Sequence, residues 1–375
     1  MIVKKNLLIK ANGIANARKT DIISGVGRST QKLLSALNEI DELPFELEVY
    51  VDGTSGIGFD FYGWKFKHSV FPIPVKWGNE LTNIEPLYRK YCKKYDLLHI
   101  PHNDDWVWKG EKFVVTIHDV FEYDVAVANG DTAIIRKWET MAYDSVGIMT
   151  CSNYSKGEIL KRFDVPEDKV SVVYWGTTSD IFYVEQPQLV QTRLKELEIN
   201  GKYFVSISCA HPRKNVRTLM KAYREFLKNN PDHKLVLVWG GFPEDLKTEY
   251  KQELEDRKII VLGSVSDEAL RILYNGASCT MFPTRSEGFG FPILESLACG
   301  TPIMTCRNTC IEEVGQDVSI YVGEDDIEAM IKVMKMFERQ EYCIDDFTIR
   351  RKKILNQFTW ENTAKQYIEF YSRYL

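Results

Sequence analysis

The chain has 375 residues, enough for two domains, and its 44% hydrophobic content supplies apolar material for two cores. A formal net charge of −5, with acids and bases intermixed, argues against a nucleic-acid partner held by electrostatics. The eight cysteines are scattered and form no C-x-x-C pair, which argues against a disulfide scaffold and fits reduced core residues of a cytoplasmic protein.

The N-terminal MIVKKNLLIKANG has too short an apolar stretch for a signal peptide, and no segment reaches the roughly 20 apolar residues of a membrane span. Any membrane contact is therefore expected to be peripheral. In chain order, strands are predicted at NLLI (6–9), LEVYV (47–51), LLHI (97–100), KFVVTI (112–117), GIMTC (147–151) and VSVVY (170–174). Between 51 and 83 the rhythm breaks into glycine, proline and aromatic residues, which reads as a loop-rich insertion.

A second series follows at YFVSIS (203–208), LVLVW (235–239), IIVL (259–262), CTMFP (279–283), PIMT (302–305) and SIYV (319–322). Amphipathic stretches fall between most of these strands; in NVRTLMKAYREFLKNN, Leu219, Ala222, Tyr223 and Phe226 share one face. Alternating strands and helices, with nearly continuous apolar strands, predict parallel sheets covered on both faces. The polar, proline-containing FYVEQPQLVQTR separates the two series and places the boundary near 185. Ligands of open parallel sheets sit at the carboxyl ends of the strands, so polar and glycine residues there are the candidates.

After the first strand, SGVGRSTQKLLSAL brings Gly25 and Gly27 ahead of a helix, where backbone N–H groups approach an anion; an ordinary glycine turn reads equally well. It is not a dinucleotide fingerprint, since the third glycine is absent. HIPHNDDW projects Asn103, Asp104 and Trp106, amide and aromatic groups suited to a carbohydrate surface. IHDV places His118 where it can bond a sugar hydroxyl or phosphate, with Asp119 either orienting the ring or capping a turn.

In SCAHPRKNVRTL, Arg213 and Lys214 stand at a strand end and helix start, placed to hold a diphosphate or, equally, to be solvated surface cations. VLGSVSDEAL follows its strand with a loop containing Ser264 and Val265 that suits a flat base, with Ser266 or Asp267 as helix cap. In FPTRSEGFGFPILESLACGTP, Glu287 lies in a glycine-rich loop, and Glu295 is expected in the first turn of a helix stopped by Gly300 and Pro302. Taken singly, each acid has a bland reading as a loop charge or a dipole-favoured helix acid.

E-x7-E within EGFGFPILE, followed by ACGTP, resembles the retaining glycosyltransferases of family 4, which have the GT-B fold. SGVGR, VVTIHDV, TCSNYSKGEI, VVYWGTTSDIF, PRKN and GSVSDEAL match that family's order and spacing, from about Asn6 to the C-terminus. The resemblance implies an α/β architecture of two Rossmann-like doubly wound domains facing across a cleft. Residues 1–184 would be the acceptor-side domain, 185–355 the nucleotide-sugar domain, and 356–375 a helix packing back on the first.

It also implies roles. Arg213 and Lys214 would bind the diphosphate, Glu287 the donor sugar and Glu295 the ribose. Amides of Gly288, Phe289, Gly290 and Phe291 would assist, with Leu294 beside them. Gly25 and Gly27 would reach the phosphate, His118 the sugar, and the loop with Ser264 and Val265 the base. Asn103, Asp104 and Trp106 would lie on the acceptor side. The segment before Arg213, SCAHP, departs from the family's usual early glycine. With no D-x-D in the chain, no metal and no cofactor is expected.

The partners implied are a nucleotide-sugar donor and a saccharide or lipid-linked glycan acceptor, with no nucleic acid. The rival readings are a nicotinamide-dependent oxidoreductase, disfavoured by the missing G-x-G-x-x-G, and a non-catalytic nucleotide-sugar-binding protein of the same fold. A phosphorylase of this fold is disfavoured by the short chain.

Overall fold

The computed structural model describes residues 4–15, 25–53, 56–71, 95–102, 107, 110–207, 211–229 and 232–375. The chain divides into two compact units, 1–176 with 359–375, and 177–358.

The first unit is built on a sheet of seven strands: β1 (Asn6–Lys10), β2 (Glu46–Asp52), β3 (Lys67–Phe71), β4 (Leu97–Ile100), β5 (Phe113–Thr116), β6 (Gly147–Thr150) and β7 (Val170–Val172). All neighbours pair parallel, in the order β3-β2-β1-β4-β5-β6-β7. β4, β5 and β6 are buried throughout, which is why they read as continuous apolar runs. β3 falls inside the stretch expected to be loop-rich. It is an edge strand with Lys67 and His68 exposed, and its register against β2, Glu48↔Lys67 to Asp52↔Phe71, carries it without an apolar run.

Helices of this unit include α1 (Asn12–Ala15), α2 (Gly25–Asn38), α3 (Phe121–Asn129) and α4 (Thr132–Asp144). The C-terminal helix, Trp360–Tyr374, also belongs here. Its start is capped by Thr359, and Thr363 Oγ1 donates to the Tyr174 carbonyl at 2.8 Å. A Cβ at Gly176 would lie 2.1 Å from the Trp360 nitrogen, so this approach admits only glycine. Farther along, the Tyr371 hydroxyl meets His99 Nδ1 at 2.8 Å, and His99 Nε2 meets Thr116 Oγ1 at 2.9 Å. Burial pushes the His99 imidazole down to about 3, so this network is built on a neutral ring.

The second unit carries six parallel strands: β8 (Tyr203–Ile207), β9 (Lys234–Val238), β10 (Ile259–Leu262), β11 (Cys279–Phe282), β12 (Ile303–Cys306) and β13 (Ile320–Val322). Their order is β10-β9-β8-β11-β12-β13. Along β9, Leu235 and Leu237 enter one core cluster while Val236 and Val238 enter another, so the sheet is covered on both faces.

The boundaries differ from 184/185 and 355/356. Residues 177–184 already pack in the second unit, where Phe182 is fully buried in a cluster with Val190 and Tyr274. Arg271 Nη1 donates to the Ile181 carbonyl at 3.0 Å, and Asn275 Nδ2 to that of Tyr183 at 2.9 Å. The polar stretch that reads as a linker is thus clamped, and its PQLVQTRLKE forms a helix, Pro187–Glu196. Among the described residues, no helix is long and apolar enough to cross a membrane.

Candidate functional site

In the second unit the chain leaves β8 toward β9 and leaves β11 toward β12, on opposite sides of the β8–β11 pair. That is the topological switch point of the sheet, where loops diverge and leave room for a ligand at the carboxyl ends. The loop after β8 carries Arg213 and Lys214; the loop after β11 carries Glu287.

Arg213 and Lys214 lie in a single 3-10 turn, Pro212–Lys214, whose first free amide, Arg213 N–H, donates to His211 Nδ1 at 3.1 Å. Burial, and then the neighbouring Arg213 and Lys214 cations, hold the His211 imidazole below its ordinary value, which keeps Nδ1 an acceptor. Asn215 ends the turn at φ 56°, in the left-handed region that an asparagine tolerates.

This turn is docked on the β11 loop. The Arg213 carbonyl accepts from Arg285 N at 2.7 Å and from Thr284 Oγ1 at 3.1 Å. The Arg285 guanidinium donates to Asn215 Oδ1 at 3.1 Å and to Glu324 Oε2 at 3.1 Å, and it pairs with Asp325. Asn215 Nδ2 donates to the Glu324 carbonyl at 2.6 Å. Lys214 is therefore fixed on both flanks by residues of another loop.

Its side chain meets Glu287: Nζ lies 2.6 Å from Oε1, which also accepts from Thr284 Oγ1 at 2.8 Å. Glu287 is buried at 8% exposure, and its main chain is held by the β12–helix loop. Cys310 Sγ donates to its carbonyl at 3.2 Å, and its own N–H reaches Thr309 Oγ1 at 3.4 Å. The two residues assigned to diphosphate and to sugar thus form an ion pair with each other.

Gly290 turns the chain at φ 95°, and the helix Phe291–Ala298 follows. Glu295 is its fifth residue, beyond the first turn where it was expected, so the helix dipole does not explain it. It is buried at 8% exposure, and its Oε2 accepts from the fully buried Tyr274 hydroxyl at 2.9 Å. Gly288, Phe289 and Leu294 are buried as well. Ser264 is exposed and Val265 half-buried in the loop after β10, and Ser266 caps the next helix through Ala269 N–H at 3.2 Å.

Of the first unit's candidates, His118 lies just past the end of β5 in its own sheet. Gly25 and Gly27 lie within α2, not ahead of it. His118 is buried after β5 and donates from Nε2 to the Pro101 carbonyl at 2.8 Å, with its ring 5.0 Å from Trp175. Asp119 caps a turn, accepting from Phe121 N–H at 3.0 Å. Asn103, Asp104 and Trp106 lie outside the described residues.

Tyr274, Thr284, Arg285, Asn308 and Glu324 escaped the sequence reading. Asn308 Nδ2 ties Glu324 Oε1 at 2.5 Å to the Thr284 carbonyl at 3.0 Å. Thr284 and Arg285, three and two residues before Glu287, carried a local signal; Tyr274, Asn308 and Glu324 come from more distant parts of the chain.

Two family models match the chain: "Glycosyltransferase Family 4" over residues 23–180 and "Glycosyl transferases group 1" over 192–352. The O-antigen chain mannosyltransferase B of Escherichia coli is 26% identical over 292 residues, covering 76% of this chain and 74% of that protein. Among solved structures, sucrose-phosphate synthase from Thermosynechococcus elongatus superposes with a TM-score of 0.73 at 18% identity, covering 99% of both chains. Anabaena Alr3699/HepE, in complex with UDP and glucose, gives 0.72 at 14% identity over 99% of this chain and 100% of that one. At such identities these structures speak for the fold alone. The two family models, end to end, take in most of the chain, which belongs to the family 4 glycosyltransferases of the GT-B fold.

Proposed function

We propose that this glycosyltransferase is retaining and moves a hexose-type sugar from UDP or GDP to a saccharide or lipid-linked acceptor, in surface polysaccharide or glycoconjugate synthesis. The observation that carries the reading is the grouping, at one switch point, of a docked Arg213–Lys214 turn with buried Glu287 and Glu295 nearby in the chain. Mannose is the first sugar to test, since a relative is named for its transfer, and glucose the second, since a similar structure holds it with UDP.

Arg213 and Lys214 hold the diphosphate, Glu287 the transferred sugar and Glu295 the ribose, with amides from Gly288 to Phe291 assisting and Ser264–Val265 meeting the base. As the anomeric C–O bond breaks, charge grows on the leaving phosphate and the sugar gains oxocarbenium character. Fixed cations and amides stabilise that charge, each typically contributing about 3–4 kcal/mol. The acceptor oxygen bonds C1 on the face the diphosphate leaves, and its proton passes to a leaving phosphate oxygen. No carboxylate nucleophile and no metal enter this scheme, so EDTA is expected to leave turnover unchanged. His118, Gly25 and Gly27 are assigned to sugar and phosphate by the family pattern. The enzyme acts in the cytoplasm, with peripheral membrane contact when the acceptor is a lipid.

The test is transfer by Lys214→Ala and, separately, Arg213→Ala. Losses of roughly 10²–10³ in kcat with unchanged far-UV circular dichroism are expected. Near-normal turnover in both variants contradicts the diphosphate assignment.

A further inference from the structure

Lys214 is paired with a carboxylate at the switch point. Its ammonium lies 2.6 Å from Glu287 Oε1, and the chain around each partner is held in place. Glu287 is held at its carbonyl by Cys310, at its N–H by Thr309, and at the same carboxylate oxygen by Thr284. Lys214 is held on either side, through the Arg213 carbonyl by Arg285 and Thr284, and through the Asn215 side chain by Arg285. An anion that reaches Lys214 therefore meets a fixed carboxylate a few ångströms away, in a setting that is mostly buried. Like charge at that range opposes binding, and water screens it poorly.

A sugar-bearing diphosphate differs from a bare one in two relevant respects. It brings hydroxyl donors, and it lacks the second ionisation of a terminal phosphate, so the bare one carries more negative charge toward the carboxylate. The hydroxyls can replace the lysine ammonium as partners of the Glu287 carboxylate and release Lys214 to the phosphates. When the sugar has been transferred, the hydroxyls are gone and the carboxylate again competes for the ammonium. We propose that Glu287 determines discrimination between the loaded donor and the spent nucleoside diphosphate, by competing with phosphate for Lys214. This inference rests on the donor-site reading above and assigns Glu287 a second task, weakening the hold on product. Product release limits turnover in many enzymes, so the competition bears directly on rate.

The test is calorimetry with inorganic pyrophosphate, a probe that needs neither base nor sugar. Glu287→Gln is expected to bind pyrophosphate about tenfold more tightly than the wild type, the lower range of coupling for close charge pairs. Glu287→Asp withdraws the carboxylate by one methylene and is expected to tighten binding less, which keeps the test open if the glutamine variant folds poorly. Adding Lys214→Gln to Glu287→Gln should abolish the gain. Unchanged or weaker pyrophosphate binding in both Glu287 variants, with Lys214→Gln alone still weakening it, overturns the competition and leaves the diphosphate site standing. Pyrophosphate binding indifferent to Lys214→Gln in every background overturns both.

Discussion

Each unit holds a lysine–carboxylate pair at its strand ends, and both pairs span 2.6 Å. In the first unit Lys10, the last residue of β1, meets Asp52, the last of β2, with side chains only 2% and 6% exposed. Asn12 closes the pair, donating to Asp52 Oδ1 at 3.1 Å and accepting from the Asp52 N–H at 3.0 Å. In the second unit Lys214 and Glu287 keep 18% and 10% exposure and sit on loops, not at the last residues of neighbouring strands. A charge pair at a strand end is therefore not by itself a ligand site. The sealed pair joins two strands; the pair at the switch point keeps more exposure and, on the proposed function, is the one a ligand divides.

The largest effect expected from this contrast concerns stability. Lys10→Ala leaves the Asp52 carboxylate buried without its cation and should cost about 3–5 kcal/mol. Lys214→Ala leaves Glu287 its Thr284 hydrogen bond and some exposure, and should cost less, about 1–3 kcal/mol. Urea denaturation of the two variants measures the difference, and equal losses would erase the distinction between the pairs.

A smaller effect separates the two glutamates. If Glu295 holds the ribose, its partner is common to nucleotide and nucleotide sugar, so Glu295→Gln should weaken both by similar factors, about tenfold each. Tyr274→Phe, which removes the hydroxyl orienting Glu295, should shift both in the same direction by less. Calorimetry with UDP or GDP and the matching sugar donor reads this. A loss confined to the sugar donor contradicts the ribose role.

The smallest effect is in pH dependence. His99 is depressed to about 3 in the folded chain, against an unfolded value near 6.5. The unfolded chain binds the extra proton between those values, so the contribution of a neutral His99 is complete above about pH 6.5 and is lost progressively as pH falls toward 3. His233, depressed by burial to about 4, acts with the same sign. His99→Gln should lower stability at neutral pH and flatten its decline between about pH 6.5 and 4, as read by urea midpoints. An unchanged slope contradicts the neutral-ring network.

The contrast also marks what was legible in the sequence. Buried parallel strands are apolar on both faces, so β4, β5, β9 and β11 stood out as uninterrupted runs. β3 did not, because an exposed edge strand such as KHSVF has neither a run nor an alternation. Arg213, Lys214, Glu287 and Glu295 could be singled out by residue type and by position at strand ends. Their partners could not: Lys214 and Glu287 are 73 residues apart, and Tyr274 reaches Glu295 from the preceding helix. The place of Glu295 depends on where the helix begins, and Gly290 sets that by adopting a left-handed turn that no spacing announces.

On the proposed function, this chain binds a nucleotide sugar through the Arg213–Lys214 turn and the two buried glutamates. The most direct measurement is a thermal-shift panel of UDP, GDP, their mannose and glucose derivatives, and NAD, run on the wild type and on Lys214→Ala. Selective binding to the folded state raises Tm by mass action, by an amount set by ligand concentration over Kd. The account predicts a rise with one nucleotide-sugar series, a smaller rise in Lys214→Ala and none with NAD. A rise with NAD, and none with any nucleotide sugar at saturating concentration, would contradict it.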